Sequence, residues 1–264
     1  MKRFFQIVVP VVTAAVFLTQ PISGYDPSKH QSSGGKDAGG KGHGHGYGRP
    51  KGPPADIPAH IKKRTSPDGK GLNLNNSQIG VEGITIMAET PELKNVVSMA
   101  LKTNKLGDEG VKIMTQSDTF RHLEFLSLWD NGISAAGAAM LARGANFNNL
   151  KELNLFKNNL GDEGVIMLVD STNVVHLTSL DLGGNKISDA GAIAIASSPY
   201  LSKLKKLDLF DNQIGPKGLE ALLHSQTLIS LEELDIVKNN IDIESAAQLG
   251  KSANLPKLKT FMAF

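Results

Sequence analysis

No cysteine occurs among the 264 residues. That excludes disulfides, thiolate metal sites and a cysteine nucleophile, and with the last of these a repeat-linked ubiquitin ligase working through a catalytic cysteine. Such a composition is compatible with an oxidising compartment without requiring one. Aromatic residues are scarce, at 5% with a single tryptophan, so any grouping of them carries information. Excess charge is missing too, the formal net charge being +2. Residues 1–24 contribute +2, residues 25–68 contribute +4 from eight basic and four acidic side chains, and the remainder −4. The longer, later part is thus mildly acidic and has no clustered Lys and Arg, which argues against nucleic acid as a partner. Beyond residue 24 no apolar run is long enough to span a bilayer.

What is present is enough apolar residue, 40% of the chain, to fill one sizeable core. Its arrangement is periodic. The stretch Leu150–Leu160 reads LKELNLFKNNL, and its Asn158 has counterparts at Ser77, Asn104, Asn131, Asn185, Asn212 and Asn239, each 27 residues from the next without insertion or deletion. A fixed period of this length is the signature of a solenoid. The frame is L-x-x-L-x-L-x-x-N-x-L, as in Leu123/Leu126/Leu128/Asn131/Ile133 and Leu177/Leu180/Leu182/Asn185/Ile187.

The paired Leu positions alternate with polar ones, which predicts a half-buried strand, and strands from successive units can line up in parallel. The Asn amide offers donors and an acceptor to turn backbone groups that would otherwise be stranded inside the stack. A Gly/Ser/Asp-x-x-Gly element and an apolar run follow, as in Gly107-Asp108-Glu109-Gly110-Val111. Its first position suits a helix N-cap, with acids in the first turn, and Pro216 falls at N1. Glycines 83, 110, 137, 164, 191 and 218 recur early in that helix, which implies that it approaches the strand layer closely. Val111, Met114, Leu141, Leu168 and Leu222 lie on the expected inward face.

This βα unit resembles the ribonuclease-inhibitor-like subfamily of leucine-rich repeats, whose members carry LxxLxLxxNxLGDEG ahead of a helix. The resemblance covers roughly Gly69 to Phe264 in seven consecutive units. It implies the α/β class: a right-handed βα leucine-rich-repeat solenoid, or horseshoe, with parallel strands on the concave face and helices on the convex face. It also implies protein binding as the usual role and names no partner. Lack of cysteine separates the chain from the Cys-rich ribonuclease inhibitor itself.

Ahead of the repeats, residues 1–24 carry Lys2 and Arg3, an apolar run Phe4–Leu18 interrupted by Pro10, and the small pair Ser23-Gly24. They read as a secretory signal peptide rather than a membrane anchor, which predicts a secreted or cell-envelope protein, periplasmic or extracellular. Residues 25–54 form a Gly/His/Lys-rich spacer that cannot bury enough apolar surface to fold. Within it His43 and His45 are weak metal candidates, since no rigid third ligand accompanies them; no cofactor is expected. Residues 55–68 are expected to cap the repeats of residues 69–264, which end in a strand of Leu258, Phe261 and Ala263 whose edge is a candidate for self-association.

Two strand columns face away from the core. The one just before the turn holds Asn75, Lys102, Trp129, Phe156, Gly183, Phe210, Val237 and Phe264; the one between the paired apolar residues holds Asn73, Ala100, Ser127, Asn154, Asp181, Asp208, Asp235 and Met262. Adjacent units bring members of a column to about 4.8 Å. Trp129, Phe156 and Phe210 are expected to be exposed, beside an acidic ladder of Asp181, Asp208 and Asp235 that Asp211 extends, with Lys102 and Asp130 nearby. Like charges at this spacing repel, and a basic partner would relieve them. Aromatic anchors rimmed by charge match interface hot spots. The alternative is that the rings pack onto neighbouring strands and the aspartates are hydrated surface.

A catalytic constellation is lacking. His122 and His176 precede strand leucines, His224 is isolated, and none has a Ser or carboxylate at triad spacing. The recurring acidic pairs are better explained by helix starts, and Gly183-Gly184 lacks phosphate-loop spacing. The sequence therefore points to an exported, non-enzymatic protein-protein interaction module. Alternatives are a small-GTPase regulator of the Ran GTPase-activating-protein type, against which the export signal argues, a secreted host-directed effector, and a self-associating surface protein.

Overall fold

The computed structural model describes residues 52–263. The signal peptide, nearly all of the spacer with His43 and His45, and Phe264 lie outside the described residues. Eight parallel strands form one sheet in sequence order: β1 Gly71–Asn73, β2 Ser98–Ala100, β3 Phe125–Ser127, β4 Glu152–Asn154, β5 Ser179–Asp181, β6 Lys206–Asp208, β7 Glu233–Asp235 and β8 Thr260–Met262. Helices α2 Gly80–Ala88, α3 Gly107–Gln116, α4 Ala135–Arg143, α5 Gly161–Val169, α6 Asp189–Ser197, α7 Pro216–Leu223 and α8 Ile243–Lys251 alternate with them. The result is an α/β solenoid, a horseshoe of parallel strands with alternating helices.

Register follows the 27-residue frame: Leu126 pairs with Leu153, Leu153 with Leu180, Leu180 with Leu207 and Leu207 with Leu234. All five are buried. The ladder also runs past the three-residue strands, because Asp130 N–H donates to the Phe156 carbonyl and Lys157 N–H to that of Gly183, both at 2.8 Å. The chain then turns through a left-handed residue in every coil, namely Asn76, Thr103, Asp130, Lys157, Gly184, Asp211 and Lys238, with φ between 53° and 66°. Non-glycine residues tolerate this region at a small cost.

The asparagine column holds neighbouring coils together. Asn158 donates from Nδ2 to the carbonyls of Leu128 (3.0 Å) and Leu155 (2.9 Å), while its Oδ1 accepts from Asn131 N–H (3.1 Å) and Ile133 N–H (3.0 Å). Asn212 repeats the pattern one coil beyond Asn185. One amide thus satisfies buried backbone groups on two coils, which explains why the side chain must be both donor and acceptor. Among the described residues every buried side-chain polar atom has a partner.

Two sequence expectations need correction. The Gly-Asp-Glu-Gly helices begin at Gly107 and Gly161 with φ +58°, and neither has a side-chain N-cap bond. Their aspartates cap the helix of the next coil instead: Asp108 Oδ1 accepts from Ser134 N–H at the start of α4, and Asp162 Oδ1 from Ser188 N–H at the start of α6, each at 2.8 Å. Second, the recurrent glycine makes room within its own coil as well as for the neighbouring one: a Cβ on Gly83 would collide with the buried Ile79, and one on Gly110 would lie 2.8 Å from Leu106 Cβ. A Cβ on Gly164 would lie 2.9 Å from Ala135 Cα, and one on Gly218 would lie 2.9 Å from Ala192 Cβ. Four 3-10 turns, which the periodicity does not announce, precede strands β2 to β5; two of them supply Phe120 and Phe147, among the largest fully buried side chains.

Helix α1, Ile57–Arg64, precedes the first coil. Asp56 caps it by accepting from Ala59 N–H at 2.9 Å, and it buries Ile57 and Ile61. Thr65 bridges antiparallel to Leu72 of β1, which covers part of that strand's outer edge. Among the described residues β8 pairs with β7 alone. None of the described helices is long and apolar enough to cross a membrane.

Candidate interaction wall

The column just before the turn brings Trp129, Phe156 and Phe210 together on the strand side. Trp129 and Phe156 meet edge to face with centroids 4.8 Å apart, and Phe156 stacks on Phe210 at 6.3 Å with an interplanar angle of 24°. Phe156 and Phe210 stand two coils apart, so their contact needs an empty place between them. Gly183 provides it: a Cβ there would fall 2.6 Å from Phe156 Cδ2 and Cε2.

The same packing overturns part of the sequence reading. Phe156 is 5% exposed, not open to solvent, although it belongs to the wall and not to the central leucine core. Trp129 and Phe210 are half-buried and form the accessible part of the cluster. Lysines lie over each ring. Lys102 Nζ sits 3.4 Å above the Trp129 centroid, Lys238 Nζ 4.7 Å above Phe210, and Lys157 Nζ 5.6 Å from Phe156. These distances suit cation–π attraction.

The acidic ladder is likewise less open than its sequence suggests. Asp181 is 5% exposed, while Asp208 and Asp235 are half-buried. Each turns an oxygen to its own backbone two residues on: Asp181 Oδ1 accepts from Gly183 N–H (3.1 Å), Asp208 Oδ1 from Phe210 N–H (2.8 Å) and Asp235 Oδ1 from Val237 N–H (2.8 Å). Asn154 makes the equivalent bond to Phe156 N–H at 3.0 Å, and its amide donates to Asp181 Oδ2 at 2.7 Å. Short Asx side chains commonly bond backbone locally in this way. The column therefore shapes the turn as well as carrying charge.

Burial pushes the Asp181 carboxyl well above the ordinary carboxylate range, and the charges of Asp208 and Asp235 add to it against the Gly183 and Asn154 bonds. Burial also raises Asp208, opposed by the Phe210 N–H. On the other half of the wall, burial lowers Lys102, and the Lys157 charge lowers it further while Asp130 offsets part of this. Asp130 and Asp211 are exposed beside the wall, and Asp130 Oδ2 accepts from Thr103 Oγ1 at 3.3 Å.

The structure thus groups Trp129, Phe156, Phe210 and Lys102, with Asp130 at the rim, and sets Asp181, Asp208, Asp235 and Asp211 alongside. Sequence reasoning missed Gly183 as a slot and Lys157 and Lys238 as cations beside rings. The two lysines stand in the left-handed column, Lys157 directly after Phe156 and Lys238 one coil beyond Phe210, while Gly183 is the aromatic column's own member between Phe156 and Phe210. Of the histidines, His176 Nδ1 contacts Lys203 Nζ at 3.1 Å and His224 Nδ1 the Glu220 carbonyl at 3.0 Å, neither a catalytic pairing.

Four segments, residues 121–142, 148–169, 175–196 and 200–223, match the family model described as Leucine Rich repeat. Among solved structures, a leucine-rich-repeat protein of Leptospira interrogans is 24% identical with a TM-score of 0.40, over 66% of this chain and 38% of that one. Internalin C2 of Listeria monocytogenes is 22% identical with a TM-score of 0.46, over 74% of this chain and 80% of that one. The chain spans 38% of the length of the Leptospira protein. No match is found among curated proteins. Four matched units on one 27-residue frame, with eight parallel strands in one sheet, make the chain similar to leucine-rich repeat proteins over residues 121–223.

Proposed function

We propose that this protein is an exported, non-enzymatic module of the ribonuclease-inhibitor-like kind that holds a protein or peptide ligand against its strand-side wall. The observation that carries the reading is the aromatic cluster: the single tryptophan and two phenylalanines gather on a surface where the core leucines do not need them. Half-exposed aromatics at the centre of a charged rim are the composition of binding hot spots. Export rests on the basic and apolar start of the sequence, and it disfavours regulation of a small GTPase. The acidic half of the wall, with Asp211 exposed and Asp208 and Asp235 half-buried, suits a basic residue of the ligand. A secreted effector acting on a host would use the same wall.

The experiment is capture from extracellular or envelope material with the full chain and with Trp129→Ala/Phe210→Ala. Loss of the captured protein in the double variant, with a cooperative melt retained a few degrees at most below that of the wild type, supports the reading. Equal capture by both places the interface elsewhere.

A further inference from the structure

The two halves of the wall differ in how their charges are satisfied. In the β5 to β7 half the aspartates are bonded to their own backbone. In the β2 to β4 half the ammonium groups of Lys102 and Lys157 lie beside the rings of Trp129 and Phe156, which are themselves 4.8 Å apart. None of the ion pairs within 4 Å among the described residues includes either lysine. A half-buried ammonium, Lys102, and an exposed one, Lys157, thus flank one pair of touching rings, and Asp130 is the acid that acts on Lys102. Burial lowers the affinity of Lys102 for its proton, and the Lys157 charge lowers it further while Asp130 offsets part of this.

We infer that Lys102 and Lys157 form a carboxylate-binding site within the wall, taking an Asp or Glu side chain of the protein ligand whose apolar neighbour covers Trp129. This rests on the reading of the wall as the ligand surface. A carboxylate fits better than a run of phosphates. Asp130 stands exposed beside Lys102, and Asp208, Asp211 and Asp235 follow along the same wall, so an extended polyanion would meet like charge on both sides. One carboxylate over the touching rings draws on the charge of both lysines and meets Asp130 alone at its rim, without extending to Asp208, Asp211 and Asp235. Its arrival also removes the repulsion between the lysines, so site and ligand neutralise one another.

Trp129 is the sole tryptophan, so its emission reports the site directly. The full chain is titrated with capped peptides of alternating Glu and Leu, Gln and Leu, and Lys and Leu, and with a short oligothymidylate. The Glu/Leu peptide is expected to change the Trp129 emission with a salt-sensitive affinity about tenfold or more above the Gln/Leu peptide. Lys102→Met/Lys157→Met should abolish that preference, and Lys238→Met should keep it, all with unchanged melting temperatures. Equal binding of the Glu/Leu and Gln/Leu peptides, or a preference for Lys/Leu, overturns the carboxylate site and leaves the wall as ligand surface intact, since the peptide still reports at Trp129. A preference for oligothymidylate overturns it in favour of a polyanion, and no response to the Glu/Leu peptide overturns it outright; the capture experiment decides the wall reading independently. If the double variant unfolds, Lys102→Gln and Lys157→Gln singly serve the same comparison.

Discussion

The asparagine column and the aromatic column are separated by only two residues in every coil, yet they behave oppositely. Asn104, Asn131, Asn158, Asn185 and Asn212 are chemically identical, buried, and bonded in nearly the same way each time. Positions 75, 102, 129, 156, 183, 210 and 237 hold Asn, Lys, Trp, Phe, Gly, Phe and Val. The backbone treats both columns alike, so the uniformity of one reflects a bonding demand that every coil repeats, and the variety of the other reflects freedom from that demand. The middle column, with its Asn and Asp residues bonding residue i+2, lies between these extremes.

This contrast can be broken by mutation, beginning with the uniform side. Leu180→Ala, at a residue 1% exposed in the strand core, should lower stability by about 3–5 kcal/mol through the cavity it opens between coils. A urea midpoint that stays in place would refute the register itself. Asn158→Ala strands carbonyls and N–H groups on two coils and is expected to cost about 2–3 kcal/mol, measured the same way. Crossing to the variable column, Gly183→Ala should cost about 1–2 kcal/mol. It should also turn the Phe156 ring away from Phe210, visible as altered aromatic proton shifts. Trp129→Ala should cost only about 1 kcal/mol, from lost ring and cation contacts, while removing ligand capture. A collapse of its melting temperature would move Trp129 from the variable class to the structural one.

The smallest and most diagnostic effect concerns Asp181, whose carboxyl is raised by burial and by Asp208 and Asp235, with Asn154 bonded to it. A raised carboxyl binds a proton more tightly in the folded state than in the unfolded one. Its share of stability is therefore greatest in acid and falls as pH rises from the unfolded value, about 3.9, through the higher folded value. Asp181→Asn should remove that slope, so the variant gains on the wild type as pH rises from 4.5 to 7.5 in paired urea melts. Parallel pH profiles for the two proteins would show that Asp181 is not held protonated by its surroundings.

Legibility in the sequence tracked the same division. Leu126, Leu153, Leu180 and Asn158 could be placed because the packing that fixes them recurs every 27 residues. Even the columns of the wall were legible, since a period of two fixes which strand residues face outward. What escaped was contact between unlike neighbours. That Phe156 is buried depends on the missing side chain at Gly183 and on Phe210 two coils on, a conjunction with no period. The turn from aspartate as surface charge to aspartate as backbone acceptor escaped for a related reason: Asn154 and Asp181 make the same bond to residue i+2, although only one of them bears a charge. Helix starts misled by a residue because Gly107 and Gly161 take a left-handed conformation, and their acids reach across to Ser134 and Ser188.

Because each asparagine amide fastens its own coil to the one before it, no coil's interior is complete without its neighbour. Damage at one position is therefore felt on both sides, and opening should travel along the array like a seam giving way stitch by stitch. The seam is weakest toward β8, where Asn239 is only half-buried, Ile243 stands 69% exposed and the β8 residues are themselves partly open. Amide exchange should consequently run fastest in α8 and β8 and slow progressively toward β4 and β5, leaving Trp129 and its ring neighbours on the portion that comes apart last.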